Sequence, residues 1–281
     1  MRDIVINFRK NFLTLISIFI ILMVIFLGIF ANFIAPNDPL TPNLANKFAS
    51  FSITYPLGTD HLGRCVLSRL IYGIRTTLFL AFITIFITIF LSTIIGTLAG
   101  YFNFFGNVIM RVCDAMLAFP AELFILSIVG FLGVGVANII IATIIAKSAW
   151  YIRMIYTFTL EYKNVNFILF SRASGISDTT IICKHILPCI SKDIILLISL
   201  DVGWVILSLS ALSFLGLGVQ APTPEWGMML NEAKNVLSVA PFQTLPSGVC
   251  ILVVVLAFNF LGDSLSETLD KRRYMQIKLA K

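Results

Sequence analysis

Apolar residues run through this chain in six long blocks separated by short polar stretches. The blocks cover Phe12–Ile34, Thr77–Ala99, Val108–Phe131, Ala137–Tyr156, Ile194–Gly216 and Phe242–Leu261. Each is near the roughly 20 residues a helix needs to cross about 30 Å of hydrocarbon. Inside lipid a backbone must satisfy its own hydrogen bonds, and no alternating strand pattern suits a barrel, so the blocks predict six helices. The expected fold class is all-α, a polytopic membrane bundle with six transmembrane helices. Arg2, Arg9 and Lys10 precede the first block, but its apolar run exceeds a signal core and no convincing cleavage site follows, so it reads as a retained span.

Composition agrees. Of 281 residues, 58% are hydrophobic and 12% charged, which excludes an ordinary soluble globular chain. The placement of Lys and Arg sets an orientation. With the N-terminus inside, one side holds Arg2, Arg9, Lys10, Arg111, Arg153, Lys163, Arg172, Lys184, Lys192, Lys271, Arg272, Arg273, Lys278 and Lys281. The other holds Lys47, Arg64, Arg69, Arg75 and Lys234, and Lys147 stays within a span. Fourteen against five puts both termini in the cytoplasm. The net charge of +6 then reflects topology and calls for no nucleic acid. Five cysteines without metal-type spacing are small hydrophobes first.

Three loops are long enough to carry function. Ala35–Arg75, on the outside, opens with Pro36, Pro39 and Pro42. It then offers Thr59 or Asp60 as cap for a surface helix, HLGRCVLSRLIYG, with Arg64 and Arg69 off its apolar side. Val219–Ala240, also outside, holds Pro224 and Trp226, read as contacts for a docking binding protein or as shapers of the pore mouth. Between them lies an inside loop, YKNVNFILFSRASGISDTTIICKHILPCIS. There a short helix precedes Gly175, Ser177 or Asp178 caps a second, and Leu187-Pro188 stops it before the next span. Such a helix at the cytoplasmic surface is either an interfacial rest or a knob for a partner's groove.

Engines are missing from the sequence: there is no GxxxxGK[ST], HExxH or GxSxG motif. Ionisable residues inside spans are costly and mark candidate pathway positions, here Glu122, Lys147 and Asp201. Glu122 and Lys147 fall on neighbouring spans and could neutralise one another. Asp114 is placed beside Arg111 at the inner interface. His61 and Cys65, four apart on the expected helix beside Asp60, are weak candidates for metal; the default reading of these positions is a solvated interfacial helix, and no metal site is assigned. Small residues at Gly96 and Gly100 predict close helix packing, with Gly216 and Gly218 doing likewise near a gate.

Four stretches in order resemble the C-type permease subunits of ABC importers for oligopeptides, dipeptides and nickel. They are YPLGTDHLGRCVLSRLIYGIRTTL from Tyr55, GISDTTIICKHILP from Gly175, ALSFLGLGVQAPTPEWGMML from Ala211 and LAFNFLGDSLSETLDKR from Leu256. IAPNDP near the first block fits the same family. The second stretch is similar to the latter half of the ATPase-coupling loop. That resemblance implies coupling roles for Ser171, Ala173, Ser174, Gly175, Ser177, Asp178, Leu187 and Pro188. It implies a type I importer bundle in a bacterial cytoplasmic membrane, a second permease forming a heterodimer, two cytoplasmic ATPase subunits and an extracytoplasmic substrate-binding protein. No cofactor is expected on this chain; ATP and magnesium belong to the ATPases. The substrate classes implied are nickel or cobalt, metal–chelator complexes, or short peptides. Leu169, Phe170 and Ser171 stand where the family loop shows Glu-Ala-Ala, His61 and Cys65 where acids are commoner, and Leu209 where a glutamate is usual. Three parts are expected: residues 1–75 with the first span and outer loop, a core 76–263 containing the coupling loop 159–191, and a cytoplasmic tail 264–281. A secondary transporter and a membrane scaffold are the alternatives; the first is disfavoured because no internal repeat is seen.

Overall fold

The computed structural model describes residues 12–279, with side chains described as far as residue 267. Arg2, Arg9, Lys10 and Lys281, all used for the orientation, lie outside the described residues, and the side chains of Lys271, Arg272, Arg273 and Lys278 lie beyond those described. No strand occurs among the described residues, and the chain is helical as expected. The helices are α1 Phe12–Ile29, α2 Ala31–Ile34, α3 Val66–Tyr101, α4 Asn103–Leu117, α5 Ala121–Leu132, α6 Val136–Lys163, α7 Asn166–Ala173, α8 Asp178–Ile181, α9 Leu187–Phe214, α10 Trp226–Lys234 and α11 Thr244–Leu279.

Five helical runs among the described residues are long and apolar enough to span: Phe12–Ile29, Val66–Tyr101, Val136–Lys163, Asp178–Phe214 and Pro241–Glu267. The expected third span is different. It divides into α4 and α5, which meet at 90°. Pro120 explains the break, because a proline disfavours helical backbone at the residue before it, here Phe119, and lacks the N–H that would continue the ladder.

Pro188 has the opposite outcome. It was expected to stop the coupling-loop helix, but the chain runs helically from Asp178 to Phe214. A π turn at Ile182–Ile186 comes immediately before it. Proline crowds the carbonyl four residues back, and the wider turn relieves that crowding without ending the helix. The separate surface helix is likewise absent: residues 59–65 form a turn closed by a bridge between Thr59 and Cys65, and α3 starts at Val66 and continues unbroken into the span.

The chain forms two compact units. Among the described residues, the first takes in those through Phe82, Val134–Ile139 and those from Ser199 on. In it, Arg75 ties α1 to α3: its Nε donates to the Gly28 carbonyl at 2.5 Å and its Nη2 to that of Ile29 at 2.7 Å. These are carbonyls a helix end leaves unpaired, and a cation suits the negative end of the dipole. Thr14 Oγ1 donates to Ser264 Oγ at 2.8 Å, joining α1 to α11. Gly262 lets α11 cross α9 closely; a Cβ there would stand 2.7 Å from the Ser199 carbonyl oxygen.

The second unit comprises Ile83–Gly133 and Ile140–Ile198. Here Gly96 and Gly100 give α3 the expected close approach to α6. A Cβ at Gly96 would lie 2.9 Å from the Ile152 oxygen, and one at Gly100 would lie 2.6 Å from Thr159 Cβ. Cys113, Ala149 and Ile152 form a buried cluster with Ile95, Ile109 and Met116 packed on it.

Phe12, Phe19, Phe26 and Phe33 are all exposed along α1 and α2 at seven-residue spacing. A stripe of that kind in water would be an aggregation site; in lipid it is ordinary surface.

Candidate functional site

The loop between α6 and α9 is built around a left-handed glycine. Gly175 has φ +76° with open space where a Cβ would point, so conformation rather than room selects glycine there. The backbone closes α7 as a helix end should: Gly175 N–H donates to the Arg172 carbonyl at 3.0 Å and Ile176 N–H to that of Ser171 at 3.2 Å. Ser177 occupies the N-cap position of α8, but its hydroxyl contacts Thr180 Oγ1 at 2.9 Å instead of a backbone N–H.

Of the expected coupling residues, Ala173, Ser174, Gly175, Ser177, Asp178 and Pro188 are exposed. Ser171 is buried and donates to the Phe167 carbonyl at 2.8 Å, and Leu187 is half-buried. Phe170, in the middle of the unusual Leu-Phe-Ser run, is 74% exposed, with Leu169 and Ile176 also at the surface. Asp178 Oδ1 accepts from the Tyr101 hydroxyl at 2.5 Å, and the Arg172 guanidinium lies 5.3 Å from the same ring. Tyr101 was not singled out from sequence; its place at the end of a span, across from a charged loop, was the available signal.

In the first unit a charge clamp joins the turn before α3 to α10. Asp60 Oδ2 accepts from Arg64 Nε at 2.7 Å and from Arg69 Nη1 at 2.6 Å. Glu232 accepts from Arg64 Nη2 at 3.0 Å and from Arg69 Nη1 at 2.6 Å. Asp60 Oδ1 also takes the N–H groups of Leu62 and Arg64, both at 2.9 Å. Burial works against the charge on Asp60, but the Arg69 cation, the Arg64 N–H, the Arg64 cation and the Leu62 N–H together hold its carboxyl below the usual range. The expectation of Arg64 and Arg69 off the apolar side of a surface helix is corrected, since both are almost completely buried.

α10 is fixed by a second buried acid. Glu225, its N-cap, accepts from Gly227 N–H at 2.9 Å and Met228 N–H at 2.8 Å. Burial pushes its carboxyl up despite those bonds. Trp226, expected at a docking surface or pore mouth, is instead buried against α3. Its Nε1 donates to the Leu70 carbonyl at 3.0 Å, and Gly73 leaves the space for its ring. Pro224 is buried as well.

Metal ligation by His61 and Cys65 loses its premise, because these residues do not share a helix face. Cys65 is buried in the bridge pair, whereas His61, Asp60 and Glu232 bring ligand atoms within 4.8 Å of one another. Both carboxylates already serve two arginines, so a dication would have to displace guanidinium groups and meet their charge. Among the in-span candidates, Glu122 is exposed in the first turn of α5, and Lys147 Nζ lies 5.9 Å from the Tyr151 ring centroid. Asp201, in α9 and the other unit, is half-buried. Asp114 forms an ion pair with Arg153. A cavity of about 650 Å³ between α9, α10 and α11 has Lys234 as its sole charged lining residue and Ser210 and Thr244 as polar ones, with apolar walls that include Leu207, Phe214 and Leu252.

Among the described residues, five apolar helical runs long enough to span, a buried charge clamp and an exposed helix–glycine–helix loop are the features that any kinship with known proteins must account for. The chain belongs to the family described as the inner membrane component of binding-protein-dependent transport systems, whose model matches residues 92–274. Residues 1–50 match the N-terminal transmembrane domain of oligopeptide transport permease C. The permease protein CntC of the metal-staphylopine import system of Staphylococcus aureus is 45% identical over 265 residues, 94% of this chain and 92% of its own. The glutathione transport system permease GsiD is 41% identical in Shigella flexneri over 274 residues, covering 95% and 88%. The Escherichia coli protein of that name is 38% identical over 271 residues, with the same coverage. The chain is thus a permease subunit of the ABC importer type, and its family's work is transport rather than catalysis.

Proposed function

We propose that this chain is one of two unlike permeases in a bacterial plasma-membrane importer for metal–chelator complexes, with both termini in the cytoplasm. Two ATPase subunits drive it, holding ATP and magnesium, and an extracytoplasmic binding protein delivers the solute. The observation that carries the reading is the exposed loop around Gly175, apolar at Phe170, Leu169 and Ile176 and continuous with α6 and α9. ATP binding draws the ATPases together, the loop follows, and the spans exchange inward for outward access. An apolar tip replaces the family's Glu-Ala-Ala, so grip on the ATPase comes from burial of Phe170 rather than from a carboxylate.

The metal–chelate assignment rests on the relative named for metal-staphylopine; the relative named for glutathione favours a short peptide as the second reading. Two experiments test the proposal. A photocrosslinker at the exposed Ser174 should capture an ATPase of the ABC type, and failure to capture one in intact membranes refutes the coupling role. Uptake of radiolabelled nickel as a chelate, set against uptake of a labelled dipeptide in cells with the gene deleted and restored, decides the solute.

A further inference from the structure

The loop is covalently continuous with α6 and α9, and has no such continuity with α3. Motion reaches α3 only through contacts, and the charged side chains at the loop's tip identify one. Between Lys163 and Thr179 the sequence has two charged residues, Arg172 and Asp178. Both meet Tyr101, the last residue of α3, whose side chain is buried. Lys163 at the end of α6 joins them: its Nζ lies 5.8 Å from the Tyr101 ring and donates to Asn103 Oδ1 at 2.8 Å and to the Gly100 carbonyl at 3.4 Å. Residues before, within and after the exposed tip therefore clasp one phenol.

We propose that Tyr101 is the positioning residue through which the loop moves α3, and that Asp178 and Arg172 serve it rather than the ATPase. The inference rests on the coupling role proposed above. A phenol hydroxyl donating to a carboxylate is short and charge-assisted, and cations over the ring add attraction that grows as water is excluded. Such a link bears tension as well as compression, unlike apolar contact alone. With Arg172 and Asp178 turned towards Tyr101, the tip between α7 and α8 offers its ATPase the apolar set at Phe170.

The complete importer, reconstituted in liposomes with its ATPases, sister permease and binding protein, tests this by the ATP hydrolysed per solute carried. Tyr101→Phe keeps the ring beneath both cations and removes the hydroxyl with its hydrogen bonds; Asp178→Ala removes the acceptor that the hydroxyl meets. Each should raise the ratio severalfold, and the double variant should be no worse than Tyr101→Phe alone, because the bond to Asp178 is already gone once the hydroxyl is removed. An unchanged ratio in Tyr101→Phe, or effects that multiply in the double variant, overturns the inference. Loss of the ATPases from the purified Tyr101→Phe complex also overturns it, since the residue would then shape the grip instead of transmitting it. If the unaltered complex retains no ATPase, the earlier reading has failed instead.

Discussion

Arg69 touches both carboxylates of the clamp through a single nitrogen, which makes it the residue on which the turn before α3 and α10 depend together. Removing one partner of a buried ion pair leaves an uncompensated charge, at a cost of about 3–5 kcal/mol. Arg69→Ala should therefore lower the melting temperature of the purified protein sharply, while Arg75→Ala, which frees helix-end carbonyls at a more exposed position, should cost less. Acid tests the clamp separately. Asp60 has a lowered pKa, so its stabilisation is complete above the unfolded carboxylate value of about 4 and is lost as pH falls through the lowered one. Glu225 acts with the opposite sign: its raised pKa means stability declines as pH climbs from about 4.5 through the raised value. Melting curves of Asp60→Asn against the unaltered protein should differ at neutral pH, begin to approach one another below about pH 4, and meet only once pH has fallen past the lowered value of Asp60. Read singly, Arg64 and Arg69 look like surface cations; their partner Glu232 lies 163 positions beyond Arg69, a distance over which hydropathy and spacing carry no information.

At the scale of elements, glycines and prolines decide the outcome. Gly96 and Gly100 were legible because small residues four apart have one common use in apolar helices. Pro120 and Pro188 were not, since a proline can break a helix or be absorbed by it, depending on whether the preceding turn can widen. At Gly175 a side chain meets no atom, and only its backbone angle is strained. Gly175→Val should cost the loop about 1–2 kcal/mol, leave insertion into the membrane intact and abolish substrate-stimulated ATP turnover. Phe170→Glu tests the tip independently. Withholding a phenylalanine from a buried contact forfeits about 1.5–3 kcal/mol, so ATPase retained on the purified permease should fall by about tenfold or more. Normal retention would place the grip elsewhere.

For the whole molecule, composition and six apolar blocks were enough to define an all-helical membrane protein, and ordered motifs were enough for its family. What they could not supply was the path of the third block, which bends by 90°, and the attachment of α1, fixed by Arg75 and Thr14. Vesicles containing this chain alone should not accumulate solute uphill; accumulation driven by a proton or sodium gradient would favour a secondary carrier.

The clamp also bears on habitat. Its two guanidinium groups and two carboxylates sum to zero and sit away from solvent, where mobile ions screen weakly. On the proposed orientation it faces the medium, whose salinity a cell does not set. Brine or dilute water should leave this joint unchanged, so any ionic-strength dependence of uptake belongs to the encounter with the delivering protein.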